Sequence, residues 1–191
     1  MVTFKRREII YHPYEQYLKL VVDLIMIICI AYLIVMLFFT HTTVVGYSMN
    51  DSLKDGNEVF VNKAAYRLSQ PERYDLVVFE PQVATVSDLY IKRIIGLPGE
   101  TVQIVDGRVY IDGQRLDSDV ITTEIYNAGL ASEPITLEYN QYFVLGDNRN
   151  NSDDSRFSNV GLVTSDSIIG KPWLVMHPLS DFGMIKVKEI D

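Results

Sequence analysis

Apolar positions are distributed very unevenly along the chain. From Leu20 to Phe39 they form one continuous run, LVVDLIMIICIAYLIVMLFF, in which Asp23 is the only charge. As a helix rising about 1.5 Å per residue, such a run spans about 30 Å, the thickness of a bilayer core. Asp23 lies within a turn of its start, where a carboxylate can still reach the headgroup layer. A buried core helix rarely carries so uninterrupted a run. A cleaved secretory signal has a shorter one, followed by a small-residue site that MLFFTHTTVV does not offer. The pattern predicts a retained transmembrane helix over 20–39, with residues 1–19 on one side of the membrane and 40–191 on the other.

Beyond residue 40 the pattern changes from continuous to alternating. NEVFVNK (57–63), YDLVVFEP (74–81), LYIKRIIG (89–96), QYFVLGD (141–147) and DSIIGKPWLVMHP (166–178) read as strands rich in Val, Ile and aromatics. TVQIVDGRVYIDGQRL (101–116) holds Asp106-Gly107 and Asp112-Gly113, each between alternating apolar residues, which is a strong hairpin signal. No amphipathic helix, internal repeat or low-complexity tract stands out. The expected class is mainly β, an antiparallel sheet or barrel preceded by the N-terminal helix. Residues 117–140 are less patterned and read as an excursion from the main sheet.

Charge adds orientation. Residues 1–19 carry Lys5, Arg6, Arg7 and Lys19 against Glu8 and Glu15, so the N-terminus is expected in the cytoplasm. The chain has 191 residues and a formal charge of −8. Residues 1–39 hold four of the 17 basic and three of the 25 acidic residues, which leaves −9 on the extracytoplasmic part. So acidic a surface excludes a nucleic-acid partner, since phosphate binding needs a basic face. Cys29 is the only cysteine and lies in the apolar run, so neither an intrachain disulfide nor a zinc cluster of cysteines is available, and no metal or cofactor is expected.

Hydrolysis without a metal requires an activated nucleophile. Only three histidines exist: His12 on the cytoplasmic side, His41 at the membrane border, and His177 between a strand and Pro178. A Ser-His-Asp triad is therefore poorly served. Lysine is the other candidate base, provided burial brings its pKa down from about 10.4. In YIKRIIG, read as a strand, Tyr90, Lys92 and Ile94 share one face and Ile91, Arg93 and Ile95 the other. The pattern alone leaves open which face is inward. The solvation cost of a guanidinium favours Arg93 outside and Lys92 inside. The densest polar stretch, GDNRNNSDDSRFSNVG (146–161), fails as a calcium loop, because Arg149 stands at the third position from Asp147 and no glycine stands at the sixth. It does place Asp154 and Arg156 two apart, able to pair, with Ser152 able to hydrogen-bond an amine.

These segments, in order, resemble the sequence boxes of type I signal peptidases, in the short single-anchor form typical of Gram-positive bacteria. Ser48-Met49 in GYSM is similar to the nucleophile box, YDLVVF to the following strand, YIKRIIGLPGETV to the lysine box, and GDNRNNSDDSR with Gly161 to the last box. The resemblance covers residues ~15–176. It implies an antiparallel signal-peptidase-like fold with a small inserted region, about 105–140, in a catalytic domain over 40–191. It further implies Ser48 as the acylated nucleophile and Lys92 as its general base. Ser152 would orient the amine, Asp154 and Arg156 would brace the site, and the Ser48 N–H would help hold the oxyanion. Met49 would line the substrate pocket. Substrates would be exported precursor proteins with membrane-held signal peptides and small residues in an Ala-x-Ala-like pattern. The chain departs from the family at Asn50-Asp51-Ser52, where Ser-Met is usually followed by x-Pro-Thr. It departs again at Tyr74, where an Arg-Gly-Asp glycine usually stands, and Gly46 supplies no side-chain oxyanion donor. Such divergence also fits a second reading, a signal-peptidase-like assembly factor or chaperone for surface pili with catalysis dispensable. A self-cleaving repressor-type protease, similar around the dyad, is excluded by the anchor and the acidic balance.

Overall fold

The computed structural model describes residues 13–50, 52–67, 69–81, 89–117 and 121–185. The basic stretch with Lys5, Arg6 and Arg7, His12, and the departure at Asp51 lie outside the described residues. The chain divides into two units, residues 1–38 and 39–191.

The first unit is α1 (Pro13–Phe38), 26 residues long. Proline suits the first turn, where its missing N–H has no partner to lose. The stretch Gln16–Phe38 is long and apolar enough to cross a membrane. Its side chains are exposed, Leu20 and Ile27 each at 64 %, as expected of a helix whose solvent is lipid. The helix gives way to a strand at Phe39, one residue inside the apolar run, where Thr40, Thr42 and Thr43 favour extended backbone.

In the second unit every strand pair among the described residues is antiparallel, with two short 3-10 turns at Gly129–Ser132 and Ser165–Ser167. Its strands are β1 (Phe39–Thr43), β2 (Glu58–Asn62), β3 (Leu76–Phe79), β4 (Tyr90–Gly96), β5 (Thr101–Val105), β6 (Arg108–Ile111), β7 (Gln114–Arg115), β8 (Ile135–Thr136), β9 (Gln141–Leu145), β10 (Val163–Thr164), β11 (Ile168–His177) and β12 (Gly183–Met184). The main sheet runs β1-β2-β11-β3-β4-β9-β10, with β12 paired to β11. A separate four-stranded sheet runs β7-β6-β5-β8. Both Asp-Gly turns form as anticipated: Asp106 and Asp112 have φ of 48° and 50°, and each glycine follows with positive φ, the primed-turn geometry of tight hairpins. The mainly antiparallel class expected from the alternating pattern is thus the observed one.

The pattern was misleading at β4. Every residue from Ile91 to Gly96 is buried. Ile91 packs with Val44, Met49, Leu53 and Leu76 in one apolar cluster, and Ile94 with Val77, Phe79 and Val144 in another. The strand is covered on both faces, so Lys92 and Arg93 are both inside, at 4 % and 1 % exposed. The expectation that Arg93 stays out is corrected. Its solvation cost is met by a buried carboxylate, Asp147, rather than avoided.

Candidate active site

Ser48 sits in a tight turn between β1 and β2, half-buried, with Met49 O accepting hydrogen bonds from Ser52 N and Leu53 N at 2.8 and 2.7 Å. The turn is tied to the polar loop after β9. Asn148 N donates to Ser48 O at 2.9 Å, and Asn148 Nδ2 donates to Tyr47 O at 3.1 Å. On the approach side, Gly46 N donates to Asp55 Oδ1 at 2.8 Å. The Ser48 turn is therefore tied through its backbone on both sides.

Lys92 projects from the middle of β4, directly across from Val77. Its Nζ lies 2.7 Å from Ser48 Oγ, across 44 residues of sequence. Burial lowers its pKa from 10.5 to about 8. Asp154, Asp153 and Asp147 oppose that shift and Arg156 adds to it, but desolvation is the largest cause. The face of the Tyr90 ring lies 5.4 Å from the amine. A hydroxyl in hydrogen-bond contact with an amine that spends part of its time uncharged can hand over its proton.

Behind the amine lie two buried ion pairs. Arg156 grips Asp154 through two hydrogen bonds, Nε to Oδ1 at 2.7 Å and Nη2 to Oδ2 at 2.8 Å, with both side chains at most 2 % exposed. The same carboxylate accepts Gly146 N–H at 3.0 Å. The second pair, Arg93 with Asp147, is missing from the sequence reading. Arg93 Nε and Nη2 reach Asp147 Oδ1 and Oδ2 at 2.7 and 2.6 Å, and Nη1 donates to Tyr74 O at 2.8 Å. Ser52 completes it by donating to Asp147 Oδ2 at 2.5 Å. The hydroxyl at the departure from Pro-Thr is therefore used to seal this pair. The neighbouring pair of charges in Lys92-Arg93 was the one available signal, because a second buried cation demands a second buried anion.

Ser152 borders this site without the hydrogen bond to the Lys92 amine that the resemblance implies. Its hydroxyl is buried, lines the cleft, and has no hydrogen-bond partner among the described residues. Gly146 lets it come close: a Cβ at that position would stand 2.2 Å from Ser152 Oγ and 2.7 Å from Ser48 O. Met49 is 1 % exposed within the core and also borders the cleft. His41 and His177 are exposed on β1 and β11, and neither borders the cleft. That cleft, about 770 Å³, is walled by residues 42–49, 89–92 and 150–153 with Phe157, and Ser48 and Lys92 lie within it. Among the described residues, no three His, Cys, Asp or Glu side chains converge to hold a metal ion.

Comparison with known proteins gives a consistent result. The family model described as "Signal peptidase, peptidase S26" matches residues 17–177. The chain is 38 % identical over 143 residues to a probable signal peptidase I-2 of Synechocystis sp., a match that covers 72 % of this chain and 63 % of that protein. It is 33 % identical over 170 residues to signal peptidase I T of Bacillus subtilis, covering 85 % of this chain and 86 % of that one. A crystal structure of a signal peptidase I from Enterococcus faecalis is 33 % identical, with a TM-score of 0.44, covering 54 % of this chain and 97 % of that one.

Proposed function

The chain belongs to the signal peptidase (peptidase S26) family, and from that premise we propose that it removes signal peptides from exported precursors, with Ser48 as nucleophile and Lys92 as general base. The observation that carries the assignment of roles is the 2.7 Å contact between Lys92 Nζ and Ser48 Oγ in a site where the amine is desolvated. Uncharged Lys92 takes the hydroxyl proton as Ser48 Oγ attacks the carbonyl carbon of the scissile bond. The tetrahedral oxyanion is met by the Ser48 N–H, pre-aimed by the fixed turn. The new ammonium then protonates the leaving amine, which departs as the mature N-terminus. A water molecule, deprotonated by the same Lys92, releases the signal peptide from the Ser48 ester and restores both groups. Rotation of Ser152 toward Nζ would let its unpaired hydroxyl steer the amine lone pair. Asp154 and Arg156 brace that loop through Gly146.

The anchor supplies geometry. Ser48 follows Phe39 by nine residues, a reach of about 30 Å at most. With the N-terminus cytoplasmic, as its basic residues favour, the cleft works close above the outer membrane surface. A precursor held there by its own apolar signal segment meets it at raised effective concentration. The assembly-factor reading gains no support from these observations, since a scaffold needs neither Ser48 nor a desolvated lysine beside it.

Ser48→Ala in the full-length chain should leave the fold intact and lower cleavage of an Ala-x-Ala precursor by at least about 10³-fold. Cleavage that persists in this variant removes Ser48 from the reaction. The rate should also follow the free base. With Lys92 near pH 8, kcat/KM rises roughly tenfold per pH unit below about 7 and flattens above about 9. A rate indifferent to pH from 6 to 10 contradicts a lysine base.

Gly146→Ala tests the framework. The added methyl meets Ser152 and the Ser48 carbonyl inside contact distance, so both must move. An ångström of displacement costs about 10²-fold in rate, and overpacking costs about 1–3 kcal/mol. Steady-state kinetics and urea unfolding on one preparation check both figures.

A further inference from the structure

The cleft around Ser48 carries little charge. Among the described side chains that wall it, the ionisable groups other than tyrosine are Lys92 and Asp153. Lys92 begins the proposed reaction as the free base. In the reactive form, therefore, Asp153 is the one acidic side chain among the described residues of the wall facing a bound peptide.

Asp153 differs sharply from its neighbour. Asp154 is fully buried and saturated by Arg156 and the Gly146 N–H. Asp153 is exposed, and among the described residues it makes no hydrogen bond and no ion pair. No described residue consumes its carboxylate. It immediately follows Ser152, lines the same cleft as Ser48 and Lys92, and its charge acts on the Lys92 amine. A peptide lying in the cleft displaces water from this wall. That lowers the local dielectric and strengthens any charge interaction across it.

We infer that Asp153 is a specificity-determining residue, selecting precursors that carry a lysine or arginine within two residues of the scissile bond and disfavouring those with an acidic residue there. This rests on the peptidase reading above. The basis is electrostatic: a cation in that position pairs with the free carboxylate, and an anion meets an uncompensated like charge in a partly closed cleft.

The same carboxylate acts on the proton transfer. When Ser48 yields its proton, the ammonium formed on Lys92 faces Asp153, Asp154, Asp147 and the Tyr90 ring, with Arg156 opposing. Neutralising Asp153 should therefore move the midpoint of the kcat/KM profile to lower pH. A residue with only a packing role would not do this.

The test uses the full-length chain in neutral detergent micelles and synthetic precursors that share one apolar anchor and one Ala-Gln-Ala site. The precursors differ only in carrying Lys, Gln or Glu at the middle residue of that site or at either of the two residues after the cleaved bond. At the most sensitive position, wild type should favour Lys over Glu by about 3- to 20-fold in kcat/KM at low salt, and the ratio should shrink as salt screens the charge. Asp153→Asn should bring the ratio close to one, and Asp153→Lys should invert it. Because each ratio is taken within a single variant, a general loss of activity does not distort it. A Lys-over-Glu ratio unchanged in Asp153→Asn, or no preference in wild type at any of the three positions, overturns the assignment. Failure of wild type to cleave the Gln precursors would instead overturn the peptidase reading, and this inference with it.

Discussion

Lys92→Met should yield a protein that is more stable than wild type at pH 7 and cleaves precursors about 10²–10⁴-fold more slowly. The two effects share one cause. The folded structure holds Lys92 at 4 % exposure and lowers its pKa from 10.5 to about 8. Between those two pH values the unfolded chain keeps the proton and the folded chain releases it. Wild-type stability therefore rises with pH across that window, and below about pH 8 the cost of burying the ammonium is carried in full. A shift of this size corresponds to about 3 kcal/mol. Methionine fills nearly the same volume with no charge, although it forfeits the contact with Ser48, worth about 1 kcal/mol. The expected gain at pH 7 is about 1–3 kcal/mol, narrowing toward zero as pH approaches 10.5. For the reaction, the loss of the base should cost about 10²–10⁴-fold. Urea unfolding at pH 7 and pH 10, with single-turnover cleavage, reads both. A variant less stable than wild type at pH 7 would mean that the amine is better solvated than its surroundings indicate.

The features legible in the sequence are those fixed by neighbours along the chain. The apolar run gives α1, the two Asp-Gly pairs give the β5–β6 and β6–β7 turns, and alternation gives β2, β5 and β6. What escaped depends on groups brought together from far apart. The strand β1 was hidden because Phe39 reads as the tail of the helix, and its pairing with β2 joins residues on either side of the Ser48 turn. In β4, alternation implies a wet face that does not exist, since β3 and β9 flank the strand and apolar clusters cover both its sides. Ser52 and Asp147 are 95 residues apart, so no local signal links them. Tyr74 shows the same limit from the other side. Its φ of 72° lies where glycine is at ease and a side chain costs about 1–2 kcal/mol. The ring, however, is buried against Ile95, Val109 and Phe143, which offsets that strain. The substitution that looked like a loss at the motif is a gain in the core.

Asp147→Ala is expected to be the most destabilising single change near the site, by about 3–5 kcal/mol. Removing this carboxylate strands the Arg93 guanidinium at 1 % exposure. Tyr74 O and Ser52 Oγ remain its partners, but neither carries the neutralising charge. Against a total stability of about 5–15 kcal/mol for a domain of this kind, such a loss leaves a substantial unfolded fraction at 37 °C. The informative companion is the double variant Asp147→Leu with Arg93→Met. It removes both ions, and apolar replacements of buried pairs are often neutral or better. Its stability should return to within about 1 kcal/mol of wild type. Cleavage should not return with it. Asp147 lies between Gly146, which accommodates Ser152, and Asn148, whose N–H holds the Ser48 carbonyl. With the ion pair gone, Ser52 loses the acceptor that ties the nucleophile turn to this loop, and Ser48 is no longer held within reach of Lys92. Equal recovery of stability and rate would reduce the pair to a packing element. Recovery of stability alone would identify it as the strut that sets the Ser48–Lys92 distance.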